Sequence, residues 1–327
     1  MNESEIIEYL ARQHSKFGRP KRHEEIDKSI PYFEIFKTGT GRYDVRGYAY
    51  ENHDNALRMM YWEHMLKNRV LPHIRENISG FYNIELHDSY TYLDNDKKYD
   101  GVLTFSKFKH DDGPVLIPDP YALQNWGGML NQINDPLQFN QKINKVCFYG
   151  TTTGNRDPRL NERIQMCLWS LTKPNLYDFK ITNIAQMHEN DVREACGNNF
   201  NNIISKNVSP YEQMKYKFHL VLDGNTCRYD IWNYFTNSVT LKYESKEMLW
   251  YYPLLIDGQH YIEVNKDTID KRMDVADEDA NYIINSAKRI ARIIQKPSSH
   301  MLYLGKVFEN MALMANKLCV DIKWHLM

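Results

Sequence analysis

Apolar residues recur at three- and four-residue spacing over residues 3–16 and 55–71 (NALRMMYWEHMLKNRVL), the pattern of two amphipathic helices. Two short runs of strand character follow, FYNIELHD (81–88) and GVLTFSKF (101–108), divided by the polar TYLDNDKKYD. The stretch GPVLIPDPYALQNWGG (113–128) carries repeated Pro and Gly and reads as irregular loop. From residue 144 strand and helix patterns alternate. NKVCFYG is a strand, TTTGNRDP a turn and RLNERIQMCLWS a helix. YDFKITNIA is a strand, SPYEQMKYK a helix, KFHLVLDG a strand and CRYDIWNYF a helix. SVTLKY and HYIEV are strands, and ANYIINSAKRIARIIQ is a helix. A last helix over 298–319 is expected after a break at Pro297, with the Ser-Ser pair as its start.

Such alternation implies βαβ units and a mainly parallel sheet, hence an α/β chain. Its length of 327 residues accommodates two lobes. The seam is expected near 135–145, giving an N-terminal lobe over 1–140, a C-terminal lobe over 141–297, and a terminal helix over 298–327 that crosses back. Residues 1–50 are left either to ligand contact or to packing alone.

Composition narrows the partners. The chain is 42% hydrophobic and 25% charged with a formal net charge of -1, which is ordinary globular composition. Without a basic surplus, a nucleic-acid or anionic-membrane partner has no electrostatic support. The 23 Tyr, 13 Phe and 6 Trp lean toward sugars, since a Tyr ring offers an apolar face and a hydroxyl, although most such rings form core. Cys147, Cys167, Cys196, Cys227 and Cys319 show no metal-ligand spacing and read as reduced, buried thiols. The N-terminus lacks an apolar signal-peptide core, no run approaches the ~20 apolar residues that span a bilayer, and DIKWHLM is not a retention signal. A soluble, cytoplasmic protein is expected.

Two stretches carry candidate chemistry. In VCFYGTTTGNRDPRLNER (146–163) a strand ends at Gly150, a Thr/Gly turn follows, and Arg156 and Arg159 precede a helix. Small residues let backbone N–H groups approach an anion, the helix start adds a favourable dipole, and an arginine adds a charge-assisted fork. The plainer reading is a capped hydrophilic turn with solvated arginines, and the stretch matches neither of the common phosphate-loop patterns. In YKFHLVLDGNTCRYDIW (216–232) the architecture repeats: a strand ends at Asp223-Gly224, with Thr226 and Arg228 at the next helix start. Paired, the two turns could grip both phosphates of one pyrophosphate; singly, each is a common turn with a surface arginine. In an open α/β sheet, ligands sit at the carboxyl ends of the strands.

The ordered set of stretches resembles the CAP10-like glycosyltransferases, family 90, which include protein O-glucosyltransferases and capsule xylosyltransferases. The resemblance rests on Phe148, Gly150, Thr151 and Arg156-Asp157-Pro158, on YKFHLVLDGNTCRYDIW, on NSVTL, on WYYPLL (250–255) and on HYIEV (260–264). Upstream, IELHDSY and VLTFSKF are similar to a family pair, so that roughly 80–295 is covered. The resemblance implies a GT-B fold of two Rossmann-like lobes with a nucleotide-sugar between them, the acceptor on the first lobe and the donor on the second. It implies inversion at the anomeric carbon, a UDP-glucose or UDP-xylose donor, and a glycan or glycoconjugate acceptor. It further implies no cofactor and no metal requirement. By position Asp88 matches the family's catalytic base, which without the resemblance would read as a turn-capping Asp. Arg156 and Arg228 match phosphate-holding arginines, and Gly150, Thr151, Thr152, Gly224, Asn225 and Thr226 would line the diphosphate. Glu247, Tyr252 and His260 are candidates for sugar or ribose contacts.

The chain departs from the family at Tyr149, where an arginine is common, at Leu249, where an acid is usual, and at Gly258-Gln259, where Pro-Trp is usual. These leave open a catalytically degenerate nucleotide-sugar-binding protein. Asp94-Asn95-Asp96 leaves open a metal-dependent transferase of GT-A type, although solvated acids suit such a polar loop.

Overall fold

The computed structural model of the chain describes residues 2–15, 18–49, 53–86, 100–119, 130, 133–225 and 230–325. Helix α1 (Glu3–His14) begins with a reciprocal cap. Asn2 Oδ1 accepts from the Glu5 N–H at 3.0 Å, and Glu5 accepts from the Asn2 N–H at 2.8 Å. Strands β1 (Tyr32–Lys37) and β2 (Tyr43–Tyr48) form a hairpin whose turn places Gly41 at φ +76, where a glycine carries no Cβ penalty. Then follow α2 (His53–Met65), β3 (Gly80–Asn83), β4 (Leu103–Thr104), β5 (Ser106–Phe108) and β6 (Val115–Leu116). The alternating region gives β7 (Ile143–Thr151), α3 (Glu162–Ser170), β8 (Tyr177–Asn183), α4 (Glu189–Cys196), β9 (Tyr216–Val221) and β10 (Val239–Tyr243). The chain ends with β11 (Glu247–Leu249), β12 (Ile262–Val264), α5 (Asp277–Ile294) and α6 (Pro297–His325).

Two compact units divide the chain. The first comprises Met1–Gly127, Lys246–Pro253 and Ile293–Met327, and the second Gly128–Ser245 and Leu254–Arg292. In the first unit β2-β1-β3 form an antiparallel sheet, β4 pairs parallel with β6, and β11 pairs antiparallel with β5. The inner face of the sheet buries Phe33, Ile35, Val45 and Tyr82, with Phe308 of α6 edge-on to Phe33 at 6.1 Å and to Tyr82 at 5.1 Å. Helix α6 also covers α1, whose Ile7, Leu10 and Ala11 are fully buried. It begins at Pro297 itself rather than after it. At the first helical position proline loses no useful N–H, and two residues on Ser299 donates to Glu3 at 3.0 Å beside the Lys296–Glu3 ion pair.

In the second unit all five strands run parallel in the order β8-β7-β9-β10-β12. From β7 the chain passes through α3 to β8 on one side, then returns across β7 to place β9 on the other. The gap between β7 and β9 is therefore a topological switch point. Val146, Phe148, Phe179, Phe218 and Leu241 bury in the core with Ile164 of α3 and Ile283 of α5. One expected helix is shorter than its pattern suggests, and the described part of another takes a tighter form. Pro210–Gln213 is a single capped turn, because the chain must straighten into β9 at Tyr216. Asp230–Phe235 is a 3-10 helix. Cys147, Cys167 and Cys196 are free and buried, and burial pushes all three thiols up. Among the described residues no helix is long and apolar enough to cross a membrane.

The amino ends of three neighbouring strands are held by one buried network. Lys142, just ahead of β7, lies 2.6 Å from Asp135, both side chains being 0% exposed, and also donates to Met214 O ahead of β9. Asp135 accepts from the Asn237 N–H at 2.7 Å, and Asn237 lies just ahead of β10. Beside it His219 Nε2 is 2.9 Å from Gln213 O, and burial pulls this imidazole down to about 4.

Two outcomes follow from this network. Lys142→Met strands a buried carboxylate and should cost about 3–5 kcal/mol in urea unfolding. Because the folded-state pKa of His219 lies below its unfolded value of ~6.5, the unfolded chain takes up the proton first as pH falls. Stability should drop by about 1.4 kcal/mol per pH unit between pH ~6.5 and ~4, and His219→Gln should flatten that part of the slope. His300, pulled down to about 4 by burial in the first unit, adds a second such contribution that the same variant leaves in place.

Candidate functional site

The loops that leave β7 and β9 meet at the switch point of the second unit. Phe148 folds its ring over Gly150, where an added Cβ would stand 2.6 Å from the ring. The glycine thus makes room for a side chain of its own strand. The guanidinium of Arg163 lies above that ring, 5.9 Å from its centroid. Arg163 is the second residue of α3 and reaches both loops. Its Nη1 donates to Thr151 O at 3.1 Å and to Thr153 Oγ1 at 2.9 Å; its Nη2 donates to Leu222 O and its Nε to Asp223 O, each at 2.9 Å.

A second tie joins the loop tips. Gly154, at φ +114, gives its N–H to Asn225 Oδ1 at 3.1 Å. Asn161 caps α3 by accepting from Ile164 N at 3.2 Å and donates to Thr152 O at 2.9 Å and Asn155 O at 2.8 Å. It thereby holds the first loop against the start of the helix. Asp223 accepts a hydrogen bond from Ser245, at the end of β10. Among the described residues, the backbone N–H groups of Thr153, Asn155, Gly224 and Asn225 donate to no hydrogen bond. These donors at the carboxyl ends of two parallel strands can receive an anion.

The structure gathers some sequence-predicted residues here and places others elsewhere. Gly150 and Thr151 close β7, where the first loop begins, and Gly224 and Asn225 lie in the loop that follows β9. Arg156 is exposed on the first loop, at the centre of the Asx turn in which Asn155 Oδ1 accepts from Asp157 N. Arg159 pairs at 2.8 Å with Glu194, both exposed, which is worth little in water. Thr152 turns inward: fully buried, it donates to Ala185 O and accepts from Ala185 N, each at 2.8 Å. His260 is buried with Nδ1 accepting from Ile256 N at 3.0 Å, and burial with nearby Arg289 pulls its pKa down. Glu247, in β11, and Tyr252, buried edge-on to Tyr251 at 5.2 Å, belong to the first unit. Asp88, Thr226, Arg228, Asp94 and Asp96 lie outside the described residues. Among the described ones no group of His, Cys, Asp and Glu forms a metal-holding cluster.

Tyr149 is the position at which the sequence resemblance implies an arginine. Its hydroxyl donates to Asp178 at 2.6 Å, and Tyr216 donates to the same carboxylate oxygen at 2.6 Å. Burial and then this hydrogen bond push the Tyr149 phenol well up, and Tyr216 up to about 12, so both stay neutral. Sequence reading passed over Arg163 and Asn161. Asn161 had a local signal, a capping residue just ahead of a helical pattern. Arg163 had none, since three of its acceptors lie on strand ends that only the fold brings together.

No family model and no curated protein matches the chain. Solved structures with partial likeness include a glycosyltransferase from Rickettsia africae, at TM-score 0.41 and 11% identity, covering 68% of this chain and 66% of that one. TarM gives TM-score 0.39 and 11% identity over 84% of this chain and 63% of its own. The pneumococcal O-GlcNAc transferase GtfA, in complex with UDP and GlcNAc, gives 0.29 and 12% over 65% and 41%. The chain thus spans about two thirds or less of the length of these proteins.

The inward role of Thr152 is open to a direct check. Thr152→Val leaves both polar groups of the Ala185 backbone without a partner and should cost about 1–3 kcal/mol in thermal or urea unfolding. Ligand affinity at the switch point, measured below the transition, should stay close to that of the unaltered chain.

Proposed function

We propose that the chain is an inverting glycosyltransferase of GT-B type, allied to the CAP10-like family 90, that moves a hexose or pentose from a UDP-sugar to a hydroxyl of a glycan or glycoconjugate. UDP-glucose and UDP-xylose are the favoured donors. The observation that carries this reading is the switch point between β7 and β9, where two glycine-bearing loops offer uncommitted N–H groups beside an exposed Arg156. The same loops hold two of the stretches by which the sequence resembles the family.

In the proposed reaction Asp88 takes the proton of the acceptor hydroxyl as its oxygen bonds to the anomeric carbon. The bond from that carbon to the diphosphate oxygen breaks, and its electron pair leaves with UDP. The N–H groups of both loops, with Arg156 and Arg228, meet the charge that develops on the departing diphosphate. Protein supplies this charge, so the reaction is expected to run without a bound metal, in a cytoplasmic setting.

Tyr149 favours a second reading, a nucleotide-sugar-binding protein without turnover. Its neutral hydroxyl, committed to Asp178, stands where the family commonly has a cation.

Both readings are tested by calorimetric binding and donor hydrolysis with UDP-glucose, UDP-xylose, UDP-galactose, UDP-N-acetylglucosamine, GDP-mannose and GDP-fucose, with and without EDTA. One UDP-sugar should bind and hydrolyse slowly, indifferent to EDTA. Arg156→Gln should weaken UDP about tenfold, the loss of one charge-assisted hydrogen bond. Asp88→Asn should abolish turnover and leave UDP affinity largely intact. Binding without turnover in the unaltered chain selects the second reading, and no binding to any donor overturns both.

A further inference from the structure

We propose that Arg163 is the positioning residue of the diphosphate site, a brace that sets the spacing of its two loops without touching the nucleotide itself. The proposal rests on the UDP-sugar reading above. A diphosphate is long enough to need donors from both loops, and neither loop fixes the other through the sheet, because β7 and β9 have ended. Arg163 supplies that connection at the base of the loops, and the Gly154–Asn225 bond closes their tips. One planar fork takes Thr151 O and Thr153 Oγ1 on the first loop and Leu222 O and Asp223 O on the second, all at 2.9–3.1 Å.

The brace acts on an anion in two ways. It holds the uncommitted N–H groups of Thr153 and Asn155 in fixed register with those of Gly224 and Asn225. It also offsets the partial negative charge of three carbonyl oxygens that the strand ends leave close to the expected phosphates. Gly224 lets the loops close on the fork: a Cβ there would stand 2.5 Å from Thr153 Oγ1 and 2.6 Å from Arg163 Nη2. Lysine cannot substitute, since a single ammonium cannot serve four acceptors spread over two loops.

The test compares Arg163→Lys, Arg163→Gln and Gly224→Ala with the unaltered full-length chain, using UDP and uridine as calorimetric probes and thermal unfolding as a fold check. UDP affinity should fall roughly 10- to 100-fold in each variant, the size expected when one charge-assisted hydrogen bond to the diphosphate is lost. Uridine affinity should stay as in the unaltered chain, since the brace governs only the phosphate end. Gly224→Ala parts the brace while keeping Arg163, so it tests the geometry even where Arg163→Gln fails to fold. Equal loss of UDP and uridine would overturn the proposal in favour of a general structural role, and so would UDP affinity unchanged in Arg163→Lys. Failure of the unaltered chain to bind UDP would overturn the UDP-sugar reading and this proposal with it; binding by the unaltered chain with no selective loss in the variants overturns the brace alone.

Discussion

Parallel strands that stop side by side leave their last carbonyl oxygens aimed into one small volume with no further ladder to meet them. An unpaired, partly buried carbonyl is costly, so something must supply donors there. In the second unit that supply is a single guanidinium, and the residues around it follow from accommodating it. Phe148 gives Arg163 a flat surface, and Gly150 gives Phe148 its room. Gly224 keeps the second loop close enough to be reached, while Gly154 takes a backbone angle that lets Asn225 close the tip. What remains unspent at this end of the sheet is a set of N–H groups, the polarity an anion requires.

The opposite end of the same strands solves the same problem differently. Lys142, Asp135 and Asn237 meet carbonyls and N–H groups just ahead of β7, β9 and β10, and the ion pair is sealed from solvent. A closed network of this kind has no donor to lend to a ligand. The polar groups at the amino end are therefore paired with one another, while N–H donors stay unpaired at the carboxyl end, with Val146, Phe148 and Phe218 packed between.

Much of the second unit was legible in the chain. The apolar runs of β7 and β9 stand out from their polar surroundings, and each ends in a glycine-bearing turn that marks a loop. Strand order was not legible, because parallel pairing depends on contacts tens of residues apart rather than on local pattern. Arg163 shows the same limit at the scale of one side chain: RLNER reads as a solvated helix face, yet the partner of its Nε lies 60 residues away. In the first unit the failure was of a different kind. YFEIFK alternates with period two and runs into Thr-Gly-Thr-Gly, a hairpin signal that was available but not read. The inward turn of Thr152 could not be foreseen, since threonine suits a buried backbone clamp and a phosphate contact equally well.

The first unit is assembled from three separated pieces of chain, 1–127, 246–253 and 293–327. Strand β5 waits for β11 to pair with it, and α1 and the β1–β2–β3 sheet wait for α6 to cover them. During synthesis the second unit has nearly all its residues before the last piece of the first has been made. The early-made segment must therefore persist with Ile7, Leu10, Phe33 and Tyr82 uncovered while the later one folds, and the long separation of these contacts slows their closure. That interval, rather than the finished fold, is when this chain is most exposed to aggregation and to the chaperones that prevent it.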